Sequence, residues 1–156
     1  MIIHVIAIFF AVSFFSIVLK CPRKFIPIGG FVGAICDLIY LIVVGKTGSV
    51  AIASFFAALT IAFASHIFAR FFKAPVTVIF IPGMLPLVPG GQIYSAVYAL
   101  LNHDKAGAYE YLMLTLQIAG VIALAIFIMD TIFQMTAGQR FGKIREGHIL
   151  SRKKTD

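Results

Sequence analysis

The stretch Ile81-Pro82-Gly83-Met84-Leu85-Pro86-Leu87-Val88-Pro89-Gly90-Gly91-Gln92 decides how this chain is read. It interrupts an apolar run, about Val76–Leu101, that is long enough to cross a bilayer. Three prolines and three glycines fall between Pro82 and Gly91, and that composition does not sustain a regular helix. In lipid, irregular backbone survives only where protein or a water-filled cavity satisfies its polar groups. The break centres near Leu87, midway along the run and therefore near the bilayer midplane, where discontinuous transporter helices hold substrate. Past Pro89 the chain can restart as a helix through Gln92, Tyr94 and Ser95. The first N–H groups of such a helix are unpaired and partially positive, which suits a substrate carboxylate. The plainer alternative is a kinked packing helix, since Pro and Gly are common in membrane helices. Three prolines flanking a short apolar stretch favour a substrate site, built from Pro82, Gly83, Pro86, Pro89, Gly90, Gly91, Gln92 and Tyr94.

Working outward, the whole chain has the composition of a membrane protein. Hydrophobic residues make up 61% of its 156 residues and charged residues 12%. A soluble globule of this size has too little interior to hide that much apolar surface. The composition excludes a soluble enzyme, a disordered protein and a nucleic-acid-binding domain; the net charge of +7 resides in gaps between apolar runs and in the C-terminal tail. Cys21 and Cys36 are expected to be free thiols, because fifteen residues of helix would hold them about 22 Å apart.

Five apolar segments are expected to cross the membrane: about 2–19, 25–45, 51–72, 76–101 and 111–136, the fourth discontinuous. Residues 137–156 form a basic tail. The first segment lacks the basic start and small-residue cleavage site of a signal peptide, so it reads as a retained helix. The fold class is thus an all-α integral membrane protein. If all five segments cross, Lys20, Arg23, Lys24, Arg70, Lys73 and the six basic residues of the tail share one side, leaving Lys46 and Lys105 on the other. The basic side is expected to be cytoplasmic, which puts the N-terminus outside and the C-terminus inside. The tail is expected to bind anionic lipid. No internal repeat is visible, and five spans make a thin wall around a pathway, so a second chain is expected.

Polar residues within the segments are candidates for proton coupling. Asp37 is about eleven residues into the second segment, near the depth of the break. A carboxylate there costs roughly 2.5–3.5 kcal/mol on insertion scales unless protonated or paired. Gly30, Gly33, Ala34 and Asp37 share one helix face, and small residues mark close helix contact, so Asp37 is expected to face protein. Its alternative role is a protonated carboxyl bonded to a neighbouring helix. His66 continues a stripe with Ser54, Ala58 and Ala62 and is the second candidate, since imidazole titrates near neutrality. Its alternative is a bond to a backbone carbonyl of the next helix. Asp130, six residues from the end of the fifth segment, is expected to reach the headgroups, pair with an arginine of the tail, or line the pathway. Asp104 and Glu110 are expected in a solvated outer loop. No metal cluster, cofactor motif or nucleotide-binding loop is present in the sequence, and no catalytic signature of a membrane enzyme.

The run Pro82-Gly83-Met84-Leu85-Pro86-Leu87-Val88-Pro89-Gly90, followed by Gln92-Ile93-Tyr94 and an apolar helix, resembles the threonine/serine exporter family of bacterial membrane proteins. It matches the P-G-x-x-x-L-V-P-G signature of that family's membrane half. The Pro22-Arg23-Lys24 gap, the Ala69-Arg70 pair and the Lys73-Ala74-Pro75 step are also similar, so the resemblance runs from about Phe14 to Thr136. It implies a multi-pass protein of the bacterial inner membrane. In size the chain resembles the small subunit of a split pair, similar to the two-component succinate exporter of enteric bacteria. The resemblance therefore implies a complementary exporter subunit, a homo-oligomer, or both. It implies export of threonine or serine first, and of a succinate-like dicarboxylate next. The rival expectation is a structural membrane subunit that scaffolds a partner holding the substrate site.

Overall fold

The computed structural model describes the backbone over residues 2–152 and side chains over residues 3–136. The side chains of the expected basic tail, residues 137–156, lie outside the described residues. Among the described residues all regular structure is helical: α1 Ile2–Val18, α2 Ile26–Thr47, α3 Val50–Phe72, α4 Thr77–Met84, α5 Gly90–Leu101 and α6 Lys105–Arg152. Short 3-10 turns at Arg23–Phe25 and Leu85–Leu87 precede α2 and follow α4. By length and apolarity α2, α3 and the Lys105–Thr136 part of α6 can each cross a membrane, and α4 and α5 make a fourth span if counted together. The apolar part of α1 is shorter than these.

Local chemistry sets the ends of these helices. Pro27 occupies the first turn of α2, where its missing N–H costs nothing. Gly48 ends α2 with φ 66°, a left-handed conformation glycine adopts freely, and its N–H donates to Val44 O at 2.9 Å. Ser49 then caps α3 by accepting from Ile52 N–H. A two-residue turn thus reverses the chain between α2 and α3. The start of α6 corrects the expected loop: Asp104 Oδ1 accepts from Gly107 N–H at 3.0 Å, and the helix begins at Lys105, so Glu110 is helical. Charge at a helix start is no obstacle when a carboxylate caps it.

α2 and α3 form the centre, with α1 and α4 packed on α2, α4 and α6 on α3, and α5 on α6. Small residues let the backbones approach. A Cβ at Gly33 would stand 2.9 Å from Val12 Cγ2, and one at Gly30 would meet the Ser13 hydroxyl and Phe9 O. Ala53, Ala57, Ala58 and Ala62 of α3 are buried, as are Gly30, Gly33, Ala34 and Asp37 of α2. Phe10, Phe14, Phe31, Phe63 and Phe127 point outward, the arrangement expected of helices solvated by lipid.

The break is where proline chemistry shapes the backbone. Pro82 cannot donate to Val78 O, one turn earlier. The Cys21 thiol contacts that carbonyl instead, at 3.7 Å. Leu85 N–H bonds Pro82 O and Val88 N–H bonds Leu85 O, tighter i to i+3 bonds that serve the carbonyls Pro86 and Pro89 cannot reach. The axes of Thr77–Leu87 and Gly90–Leu101 meet at 45°.

Candidate functional site

A cleft of about 210 Å³ opens where α1, α2, α3 and the break converge. Its walls are His4 and Ile8 of α1, Asp37 and Tyr40 of α2, Val50 and Ser54 of α3, Pro86–Pro89 and Gln92 of the break, and Ile118 of α6. Asp37 and Leu87, counted in sequence to the same depth, therefore border one space. Asp37 is 8% exposed at its side chain. Its Oδ2 lies 3.0 Å from Nδ1 of His4, a residue 33 positions earlier whose side chain is 60% exposed. Burial alone would make this carboxylate costly, and the hydrogen bond offsets part of that cost.

The backbone supplies the opposite polarity. No side chain caps α5. Gly90 N–H bonds Val88 O, and the first helical bond is Ile93 N–H to Pro89 O at 3.2 Å. The N–H groups of Gly91 and Gln92 stand ahead of it, at the partially positive end of the helix. Chemically, the cleft borders an acidic side chain, four hydrogen-bonding side chains in His4, Tyr40, Ser54 and Gln92, and a helix start, within otherwise apolar walls.

The ten residues proposed from sequence fall into distinct places. Asp37, Pro86, Pro89 and Gln92 line the cleft. Pro82 and Gly83 are buried in the contact of α4 with α2 and α3, where a Cβ on Gly83 would come 2.7 Å from Ile61 Cδ1. Pro82 also borders a second cleft, of about 240 Å³, beside Cys21 and Val78. Gly90 and Gly91 are exposed, and a Cβ on either meets nothing within 4 Å. Tyr94 is 71% exposed and stacks on Tyr98.

His66 belongs to another cluster. Its Nε2 is 2.6 Å from Asp130 Oδ1, and Phe133 stacks on its ring at 4.4 Å. Arg70 covers the same Phe133 ring and donates to Phe133 O at 3.3 Å. Among the described residues His66 thus bonds a carboxylate, and Asp130 pairs across to α3; the arginine side chains of the tail lie outside the described residues. The signal for this pair was present in the sequence: both residues lie six positions from the same-side ends of their segments. His4 had no such signal, because α1 is apolar on nearly every face and its sequence does not mark the one that meets α2. Among the described residues no three His, Cys, Asp or Glu side chains gather as a metal site would require.

No curated protein and no solved structure matches the chain. A family model described as Threonine/Serine exporter, ThrE, matches residues 4–132. That range contains the cleft, the break and both His–Asp pairs. The chain therefore belongs to the threonine/serine exporter family, and is a multi-pass membrane protein of an exporter family rather than of an enzyme class.

Proposed function

We propose that the chain is a membrane subunit of a proton-coupled secondary exporter for small carboxylate-bearing metabolites, threonine and serine before succinate-like dicarboxylates. One observation carries this reading: the buried Asp37 carboxylate and the residues of the Pro/Gly break border a common cleft. In this reading α4, the Leu85–Leu87 turn and α5 make one broken span, the fourth of five. The start of α5 holds the substrate carboxylate. A bound negative charge near Asp37 links substrate binding to protonation of that residue. His66, held against Asp130, is the second proton-carrying group. The N-terminus is outside, the C-terminus is cytoplasmic, and the membrane is the bacterial inner membrane. A complementary exporter subunit, a second copy, or both complete the pathway.

Cells lacking this chain, its complementary subunit, or both are expected to accumulate threonine and serine to the same raised level. Accumulation of succinate alone would move the substrate to dicarboxylates. Unchanged levels of all three in every strain would overturn the export reading.

A second reading, a scaffold for a partner that holds the substrate site, draws on the exposed side of α5. Gly90, Gly91, Tyr94 and Tyr98 are uncovered there, and 17% of the apolar window of α6 is buried. Under that reading, substitutions lining the cleft leave export unchanged while substitutions on the outer side of α5 disrupt assembly.

A further inference from the structure

We propose that His4 is the residue through which Asp37 exchanges protons with water, on the side of the membrane that carries the Gly48–Ser49 turn. The inference rests on Asp37 being the proton-coupling carboxylate, and assigns the route by which its proton comes and goes. Asp37 is 8% exposed and His4 60% exposed, and both border the cleft that extends to Val50, so a path through the cleft meets the imidazole before the carboxylate. Among the described residues His4 is the only side chain hydrogen-bonded to Asp37.

The side is set by topology. α1 and α2 are joined through the short Leu19–Phe25 connection and pack on each other, so the start of α1 lies toward the far end of α2. Val50, the first residue of α3 after the Gly48–Ser49 turn, borders the same cleft as His4.

The chemistry of the pair suits transfer. An imidazolium donates from Nδ1 to an ionised Asp37 Oδ2 at 3.0 Å. When the proton moves, the Nδ1–H bond breaks and an Oδ2–H bond forms. The protonated carboxyl then donates to the neutral ring, so the hydrogen bond persists in both states. The imidazolium forms when water in the cleft delivers a proton to Nε2 of a ring whose Nδ1–H already faces Asp37, and the reverse sequence, Oδ2–H back to Nδ1 and Nε2–H to water, discharges Asp37. Among the described residues no other titratable group competes for this role around Asp37. Tyr40 of α2 borders the cleft, but a phenol stays protonated across the neutral range. The Cys36 thiol is directed to Ala57 O. α3, the break and α6 contribute only Ser54, Gln92 and apolar residues.

The test reads the proton on Asp37 itself. A hydrophobic carbodiimide modifies protonated carboxyls within membranes, and Asp37 labelling in sealed vesicles of both orientations would be followed after a rapid acid pulse on one side. Labelling of the unaltered full chain is expected to rise promptly when the pulse is applied on the Gly48–Ser49 side. His4→Gln removes the titratable ring, and His4→Arg keeps a cation beside Asp37 that cannot release its proton. Both are expected to slow the rise by about tenfold or more. Because His4 is largely exposed, neither substitution opens a cavity, and equal membrane abundance of the variants is verified alongside. A prompt rise in either variant, or an Asp37 that is never labelled in the unaltered chain, overturns the proposal. A His4-dependent rise in a chain that exports nothing supports this proposal while the export reading fails. Export with an unchanged pH profile and an unchanged labelling rate in His4→Gln does the reverse.

Discussion

His66 of α3 and Asp130 of α6, 64 residues apart in sequence, meet through Nε2 and Oδ1 at 2.6 Å. The pair ties the two helices together near the C-terminal end of α3, with the ring stacked on Phe133. Asp130 is 48% exposed at its side chain, so solvent or lipid headgroups screen part of the attraction.

That geometry makes the pair a modest clamp. A double-mutant cycle with His66→Ala and Asp130→Ala, read as thermal stability in detergent, is expected to give a coupling of about 0.6 kcal/mol. Additive effects would show that the two helices hold together without the bond. His66→Gln, which keeps a hydrogen-bonding side chain but does not titrate near neutrality, is expected to preserve stability and flatten the pH dependence of export. An unaltered pH profile would confine His66 to the clamp.

Asp37 is expected to behave differently. Asp37→Asn mimics the protonated form and preserves the shape of the cleft, so substrate binding should persist while export loses its dependence on pH. The measurement is export rate across a pH series at matched membrane abundance. Equal pH dependence of the two proteins would leave Asp37 as a packing residue.

The glycines separate folding from function. Gly30→Ala forces a methyl against the Ser13 hydroxyl and Phe9 O, within a tight contact between α1 and α2, and is expected to cost about 1–3 kcal/mol in stability. Gly91→Leu projects into open space beside the start of α5, so stability should stay within about 0.5 kcal/mol. If the α5 N-terminus receives the substrate carboxylate, the same substitution weakens binding. Retained binding in Gly91→Leu would move the carboxylate site away from that helix end.

The bend between α4 and α5 distinguishes a broken span from a re-entrant loop. Reporter fusions after residues 48, 106 and 156 are expected to report outside, outside and inside. Inside at 106 with outside at 156 would mean that the segment turns back without crossing.

Properties that act on the nearest backbone were legible in the sequence. Apolar runs marked the helices and the three prolines marked the break, because each imposes its geometry within a turn of its own position. The Pro/Gly signature also pointed to the family that residues 4–132 match. Small residues beside Asp37 correctly indicated that it faces protein, since close backbone contact needs small side chains. What the sequence left open was which groups meet. His4 with Asp37, His66 with Asp130, and the placement of Pro86 and Pro89 in the cleft while Gly90 and Gly91 face outward were decided by tertiary packing. Periodicity assigns a residue to a face of its own helix. The partner depends on how each helix is rotated and shifted against its neighbours, and only the joint packing of small residues along α1, α2 and α3, with the bend between α4 and α5, sets those rotations.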